Sequence, residues 1–172
     1  GTKYITADIA RFGKDKTVIG IWNGWRCEDI ITLDNSSITE TANKIKELSN
    51  LYKIQRSHIV VDEDGVGGGV KDILKCKGFV NNSKALKHKG KQENYTNLKS
   101  QCYYNLSVKV NNGGVYIKSE LKDTIIQEFE QVKQKDIDKD GKKAIIGKEV
   151  IKQLIGRSPD YSDMIMMRYF FE

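Results

Sequence analysis

An aspartate stands in the middle of a run otherwise suited to a buried strand. In YITADIA (4–10), the two-residue alternation puts Tyr4, Thr6 and Asp8 on one face and Ile5, Ala7 and Ile9 on the other. A carboxylate in such company must be paired, hydrogen-bonded or bound to a cation, because its desolvation is otherwise too costly. Taken alone, the run is compatible with a strand carboxylate paired to a lysine and equally with a metal ligand.

The surrounding pattern decides what Asp8 can meet. Residues 3–10, 17–22 and 25–33 read as three strands, separated by FGKD and by Asn23-Gly24, a strong hairpin signal, so they form an antiparallel meander. A helix is expected over 38–52, with Ala42, Ile45, Leu48 and Leu51 at helical spacing behind the cap candidates Ser36 and Ser37. It leads into HIVVD, a buried-type strand ending in Asp62. A right-handed crossover lays this strand parallel to the first one and makes Asp8 and Asp62 neighbours. Open α/β sheets place functional groups at the carboxyl ends of their strands, where Asp62 lies, although a turn-forming or helix-capping aspartate reads the same way. The following DGVGGG lacks the spacing and the lysine of a nucleotide-binding P-loop, and its glycines suit close backbone approach.

Further along, a helix is expected over 70–77 and an exposed polar loop over 81–94 carrying Lys84, Lys87, His88, Lys89 and Lys91. Another helix covers 96–106, a turn at 111–114 introduces the short strand VYI, and 121–132 is helical with Leu121, Ile125 and Phe129 on one stripe. From 133 to 148, charged and apolar residues alternate around Asp140-Gly141, the pattern of a long exposed β-hairpin with six lysines. Asp136, Asp138, Asp140 and Gly141 imitate a calcium loop, but Gly147 stands where the bidentate acid is needed, which argues against calcium sensing.

In the closing segment Ser158 suits an N-cap and Pro159, the sole proline, suits the first helical position. Asp160 and Asp163 then fall on one face near the helix N-terminus, where carboxylates are also favoured by the helix dipole alone. Ile165, Met166, Tyr169 and Phe170 would pack this helix onto the sheet. Each acid has an ordinary structural explanation, yet a topology that gathers three of them favours a site for divalent metal, since like charges that close need a cation.

The chain has 172 residues, enough for one domain with its own core. Lys and Arg exceed Asp and Glu by 29 to 23, and the pI of about 9.1 favours a polyanionic partner such as nucleic acid. The basic loop and hairpin therefore supply the candidate phosphate contacts Lys84, Lys87, Lys89, Lys139, Lys142 and Lys143. Cys27, Cys76 and Cys102, odd in number and without metal spacing, read as thiols of an intracellular protein. There is no apolar run of membrane-spanning length, so a soluble cytoplasmic protein with no membrane partner is expected. The chain enters a strand almost at once without a starting Met, which suggests a domain excised from a longer polypeptide.

The words DIARFGKDKT, VVDEDGVGGG and GKEVIKQLIGRSPDYSDM, in that order, resemble the nuclease domain of the large terminase subunit of tailed bacteriophages over nearly the whole chain. The resemblance implies an α/β, ribonuclease H-like mixed sheet, a three-strand antiparallel meander plus parallel strands, flanked by helices and carrying an extra β-hairpin. It also implies an endonuclease that cuts double-stranded viral DNA concatemers during genome packaging by two-metal-ion phosphodiester hydrolysis, using Mg²⁺ or Mn²⁺. On this likeness Asp8 bridges two ions, Asp62 and Asp163 hold one each, and Asp160 is auxiliary. A preceding ATPase motor in the same full-length chain, the portal and the small terminase subunit are the implied protein partners, at the procapsid in the host bacterial cytoplasm. Two competing readings are a ribonuclease H-like resolvase or hybrid nuclease, and a non-catalytic DNA-gripping module of the packaging motor.

Overall fold

The computed structural model describes residues 1–10, 16–135 and 141–172. Strands β1 (Lys3–Asp8), β2 (Lys16–Asn23) and β3 (Arg26–Asp34) form the expected meander. Its second turn is Gly24-Trp25 rather than Asn23-Gly24, because Asn23 still pairs with Arg26 and Gly24 takes the positive φ of 59°. The turn FGKD falls outside the described residues. Helix α1 (Ile38–Tyr52) is capped by Ser37, whose Oγ accepts from Glu40 N at 3.1 Å. It crosses over to β4 (Ile59–Asp62), which pairs parallel with β1 as the crossover rule requires.

Leu51 departs from the expected stripe and is 69% exposed. At 3.6 residues per turn, a series stepping by three falls about 60° short at each step, so a fourth member has drifted to the other face. Tyr52 packs against the core instead.

After β4 come α2 (Gly67–Leu74), which starts inside the glycine run rather than at 70, and β5 (Lys77–Phe79). The segment expected as a plain loop over 81–94 contains a small hairpin, β6 (Lys87–His88) and β7 (Lys91–Gln92), turned by Lys89 and Gly90 with φ of 50° and 77°. Then follow α3 (Leu98–Asn111), β8 (Tyr116–Ile117), α4 (Lys122–Gln131), α5 (Lys148–Ile155) and α6 (Asp160–Met166), which runs on into a 3-10 turn, Met167–Phe171.

The hairpin expected over 133–148 is paired at its base, with Gln134 opposite Ile145, Lys135 N donating to Ala144 O at 2.9 Å and Ile146 N to Lys133 O at 2.9 Å. Its other end, with Asp136, Asp138, Lys139 and Asp140, lies outside the described residues. Lys148 does not belong to the hairpin but opens α5, which ends at Gly156 with a φ of 75°.

The sheet order is β5-β4-β1-β2-β3-β8, mixed in direction and covered on both faces. Alternation within the strands separates two cores. Ile5, Ala7, Ile19, Ile21 and Val61 pack with Ala42, Ile45 and Val70 of α1 and α2. Trp22, Val60 and Phe79 pack with Leu98, Leu106, Met164 and Ile165 of α3 and α6. Tyr4, Thr6 and Asp8 therefore look toward the α6 side, as the period of two required. The closing turn is pinned by Arg168, whose buried guanidinium lies over Tyr4 (4.0 Å) and Trp25 (4.4 Å) and donates to Gly24 O at 2.9 Å. Among the described residues no helix is long and apolar enough to cross a membrane.

Candidate metal centre

Asp8 and Asp62 are the last residues of β1 and β4, and the parallel pairing of Ala7 with Val61 brings those strand ends side by side. Helix α6 crosses the same corner. Trp22 Nε1 donates to Thr6 Oγ1 at 3.0 Å, and Thr6 Oγ1 donates to Met164 O at 2.8 Å, tying α6 to β1 two residues before Asp8. The three carboxylates are almost shut off from solvent, at 2% exposure for Asp8, 7% for Asp62 and 4% for Asp163. Asp160 is half-buried at the first turn of α6, and its charge is felt at Asp8.

Burial is the main cause that pushes the Asp8 carboxyl well above the ordinary range; the Lys148 ammonium opposes it, and the anions of Asp163, Asp160 and Asp62 add to it. Asp62 is raised as well, by burial first, against the backbone N–H of Asp64, which donates to Asp62 Oδ1 at 3.0 Å. Asp8 and Asp62 lie close enough for each to shift the other's ionisation.

Asp163 goes the other way. Burial would raise its pKa, but Lys99 at 3.7 Å, Lys148 at 3.2 Å and the Tyr103 hydroxyl donating at 2.5 Å together hold it below the usual value. Lys148 is itself partly desolvated, yet Asp8, Asp163 and Asp160 keep it firmly protonated.

The sequence pointed to acids facing one another across a divalent cation. In the fold Asp8 lies within electrostatic reach of Asp62, Asp160 and Asp163, but the cation beside it is Lys148, and Asp163 is additionally held by Lys99. Among the described residues no group of three His, Cys, Asp or Glu stands ready to hold an ion as placed. The donor chemistry nevertheless fits a hard divalent ion: carboxylate oxygens only, buried, with Asp8 and Asp62 raised, so that added positive charge favours their ionised form.

Several side chains that organise the corner carried no local signal. Ser158 was expected to cap α6, but the N-cap position is Pro159, which offers no side-chain cap. The cap comes from α4: Glu128, fully buried, accepts from Ser162 N at 3.0 Å and is ion-paired with Arg157. An acid beside Ile125 and Phe129 on the apolar side of α4 was the one trace of this in the sequence.

Gly67 shows why the glycine run follows Asp62. A Cβ built there would lie 1.6 Å from the Asp62 carbonyl oxygen, a backbone atom that cannot yield without moving the strand end that carries Asp62. Gly67→Ala is expected to destabilise the protein by about 3 kcal/mol, lowering its melting midpoint by roughly 6–12 °C. A midpoint within about 2 °C of the parent in a thermal melt would contradict this packing.

Lys84, Lys87 and Lys89 are exposed in or beside the small β6–β7 hairpin, and Lys142 and Lys143 are exposed on the second arm. Lys139 lies outside the described residues. The two arms are joined: Asn94 Nδ2 donates to Gly141 O (2.7 Å), Lys143 N to Asn94 O (3.0 Å) and Thr96 N to Lys143 O (2.9 Å). The Lys143 ammonium lies over Tyr95 and Tyr104 at 5.9 and 5.8 Å, which fastens both arms to α3. An apolar groove of about 470 Å³ between α3 and α4, lined by Leu106, Val110 and Phe129 among others, is separate from the acids.

No family model and no curated protein matches the sequence. Solved structures do match the fold. The nuclease domain of the large terminase subunit gp2 of bacterial virus Sf6 superposes with a TM-score of 0.81 at 19% identity, covering 98% of this chain and 88% of that one. The chain has the fold of a large terminase nuclease domain. The large terminase nuclease of thermophilic phage G20c with bound magnesium gives a TM-score of 0.64 at 16% identity over 98% and 80% of the two chains. The Thermus phage P74-26 large terminase nuclease domain gives 0.63 at 14% identity over 98% and 78%. A lysine-to-alanine mutant of the Sf6 domain is described with manganese. The terminase nuclease fold thus accounts for the mixed sheet and for its flanking helices, as the motif order implied.

Proposed function

We propose that this chain is a phage packaging endonuclease domain that hydrolyses phosphodiester bonds of double-stranded DNA concatemers with two Mg²⁺ or Mn²⁺ ions. Asp8, Asp62 and Asp163 are the ligands in this reading, with Asp8 shared and Asp160 auxiliary. What supports it is that three nearly dry carboxylates stand on neighbouring elements, with Asp62 and Asp163 both acting electrostatically on Asp8, in a chain that also carries two joined lysine-bearing arms. Magnesium or manganese bound to terminase domains of the same fold supports the choice of ion.

When bound, such ions polarise the scissile phosphate and make an attacking water more acidic. The chain contributes the rest. Asp8 and Asp62, both held above the ordinary carboxylate range, give up their protons, Tyr103 and Lys99 hold Asp163 in orientation, and Lys148 withdraws from the carboxylates it neutralises. The lysine arms hold the duplex by its phosphates without reading sequence. In this reading the domain works behind an ATPase motor of the same polypeptide, with portal and small terminase subunit, at the procapsid in the host cytoplasm.

The test is cleavage of supercoiled plasmid in Mn²⁺ or Mg²⁺, blocked by EDTA, with linear duplex competing better than four-way junction or RNA–DNA hybrid. Absence of both cutting and a Mn²⁺-dependent melting shift would leave only a DNA-gripping module.

The protonation pattern adds a pH test. Asp8 is raised in the folded state, so its ionisation costs stability progressively as pH climbs from the ordinary carboxylate value near 3.9 through its higher folded value. Asp163 has the opposite sign: it contributes stability above about 3.9 that is lost as pH falls through its lowered value. A cation that displaces protons from Asp8 and Asp62 therefore binds better as pH rises. The Mn²⁺-induced rise in melting temperature should be larger at pH 8 than at pH 5, and an equal rise at both would count against proton displacement.

For the arms, the double change Lys142→Ala with Lys143→Ala should weaken duplex binding and flatten its log K against log salt slope by about 1.8, taking roughly 0.9 per phosphate contact. An unaltered slope would remove these lysines from the DNA face.

A further inference from the structure

Asn81 sits on the turn just beyond β5, and its side-chain amide donates to Asp62 Oδ1 at 3.3 Å and to Asp64 Oδ2 at 2.6 Å. Asp62 Oδ1 also accepts from Asp64 N at 3.0 Å, so both of these donors load the same oxygen of Asp62. Neither draws on Oδ2, so both fix the carboxylate plane through one oxygen.

The backbone of the same turn is clasped to the start of α3. Lys99 N donates to Asn81 O at 3.2 Å, Leu98 N to Ser83 O at 2.8 Å, and Asn97 Nδ2 to Asn82 Oδ1 at 3.1 Å. Helix α3 in turn carries Lys99 and Tyr103, both on Asp163. Asn81 is thus the hinge between the β4 side of the corner and the α6 side.

We propose that Asn81 is a positioning residue for Asp62, orienting its carboxylate toward a divalent cation and holding Asp64 beside it. The inference rests on the metal-dependent reading above. Groups hydrogen-bonded behind a metal ligand fix its orientation, and their loss lowers metal affinity by about 10–100-fold. A purely structural asparagine would lower stability instead and leave affinity alone.

The experiment is calorimetric titration of Mn²⁺ into the parent chain, Asn81→Leu and Asn81→Gln, with melting in EDTA alongside. Asn81→Leu keeps the volume and deletes the donor, and is expected to bind Mn²⁺ about 10–100-fold more weakly with a nearly unchanged metal-free melting midpoint. Asn81→Gln keeps the amide and should recover part of the affinity. If the leucine variant does not fold, Asn81→Ala carries the same expectation. Parental Mn²⁺ affinity in the donor-less variants, with or without lost stability, overturns the role of Asn81 and leaves the metal reading standing. A parent chain that binds no Mn²⁺ overturns both.

Discussion

Asp8→Asn should leave plasmid DNA uncut in Mn²⁺ and at the same time make the metal-free protein harder to melt. The substitution keeps the shape of the side chain and removes the charge that the proposed mechanism shares between both ions. Losing several kcal/mol of charge stabilisation in the transition state corresponds to about 10³-fold in rate. The gain in stability follows from the cost of an ionised Asp8: burial is its main source, and the anions of Asp163, Asp160 and Asp62 add to it. A neutral amide relieves that cost, for which about 1 kcal/mol, or roughly 3 °C, is the expected scale. Lys148 still has Asp163 to pair with at 3.2 Å, so the substitution does not orphan it. Retained cutting would sink the catalytic assignment, and a marked fall in melting temperature would show that Asp8 is a structural partner of Lys148 instead.

The second large effect is expected far from the acids. Glu128→Ala removes the acceptor that caps Ser162 N at the start of α6, leaves that N–H without Glu128 in the interior and opens a void in α4. Breaking a buried charged pair of this kind costs about 3–5 kcal/mol; because the Arg157 side chain is 37% exposed and can return to water, the lower end applies. Glu128→Gln keeps an oxygen for Ser162 N and gives up only the ion pair, at about 1 kcal/mol. Chemical unfolding of the two variants checks the difference. If both lose the same amount, the ion pair and not the cap holds α6.

The order of strands and the positions of Asp8, Asp62 and Asp163 were legible because they rest on local alternation and on one handedness rule. Pairing of Ala7 with Val61 is the crossover rule carried out, and the two aspartates follow from it. The groups that surround those acids were not legible, since they arrive from distant segments. Tyr103 and Asp163 are separated by 60 residues, and Glu128 and Ser162 by 34. Lys148 was read as one more lysine of a solvated hairpin, and only the start of α5 at that residue turns it inward. The β6–β7 hairpin was hidden for another reason: with two residues per strand it has no alternation to read, and Lys89 accepts the left-handed conformation that sequence rules reserve for Asn or Gly.

Lys148 gives the corner a resident positive charge supplied by the chain itself. The fold therefore closes on its own, unlike small domains whose ligands collapse only around an incoming ion. Chelators should silence such a protein without unravelling it. In the proposed mechanism, loading becomes an exchange of one tethered monovalent group for mobile divalent ones, with the tether rooted at the foot of the arm that bears Lys142 and Lys143.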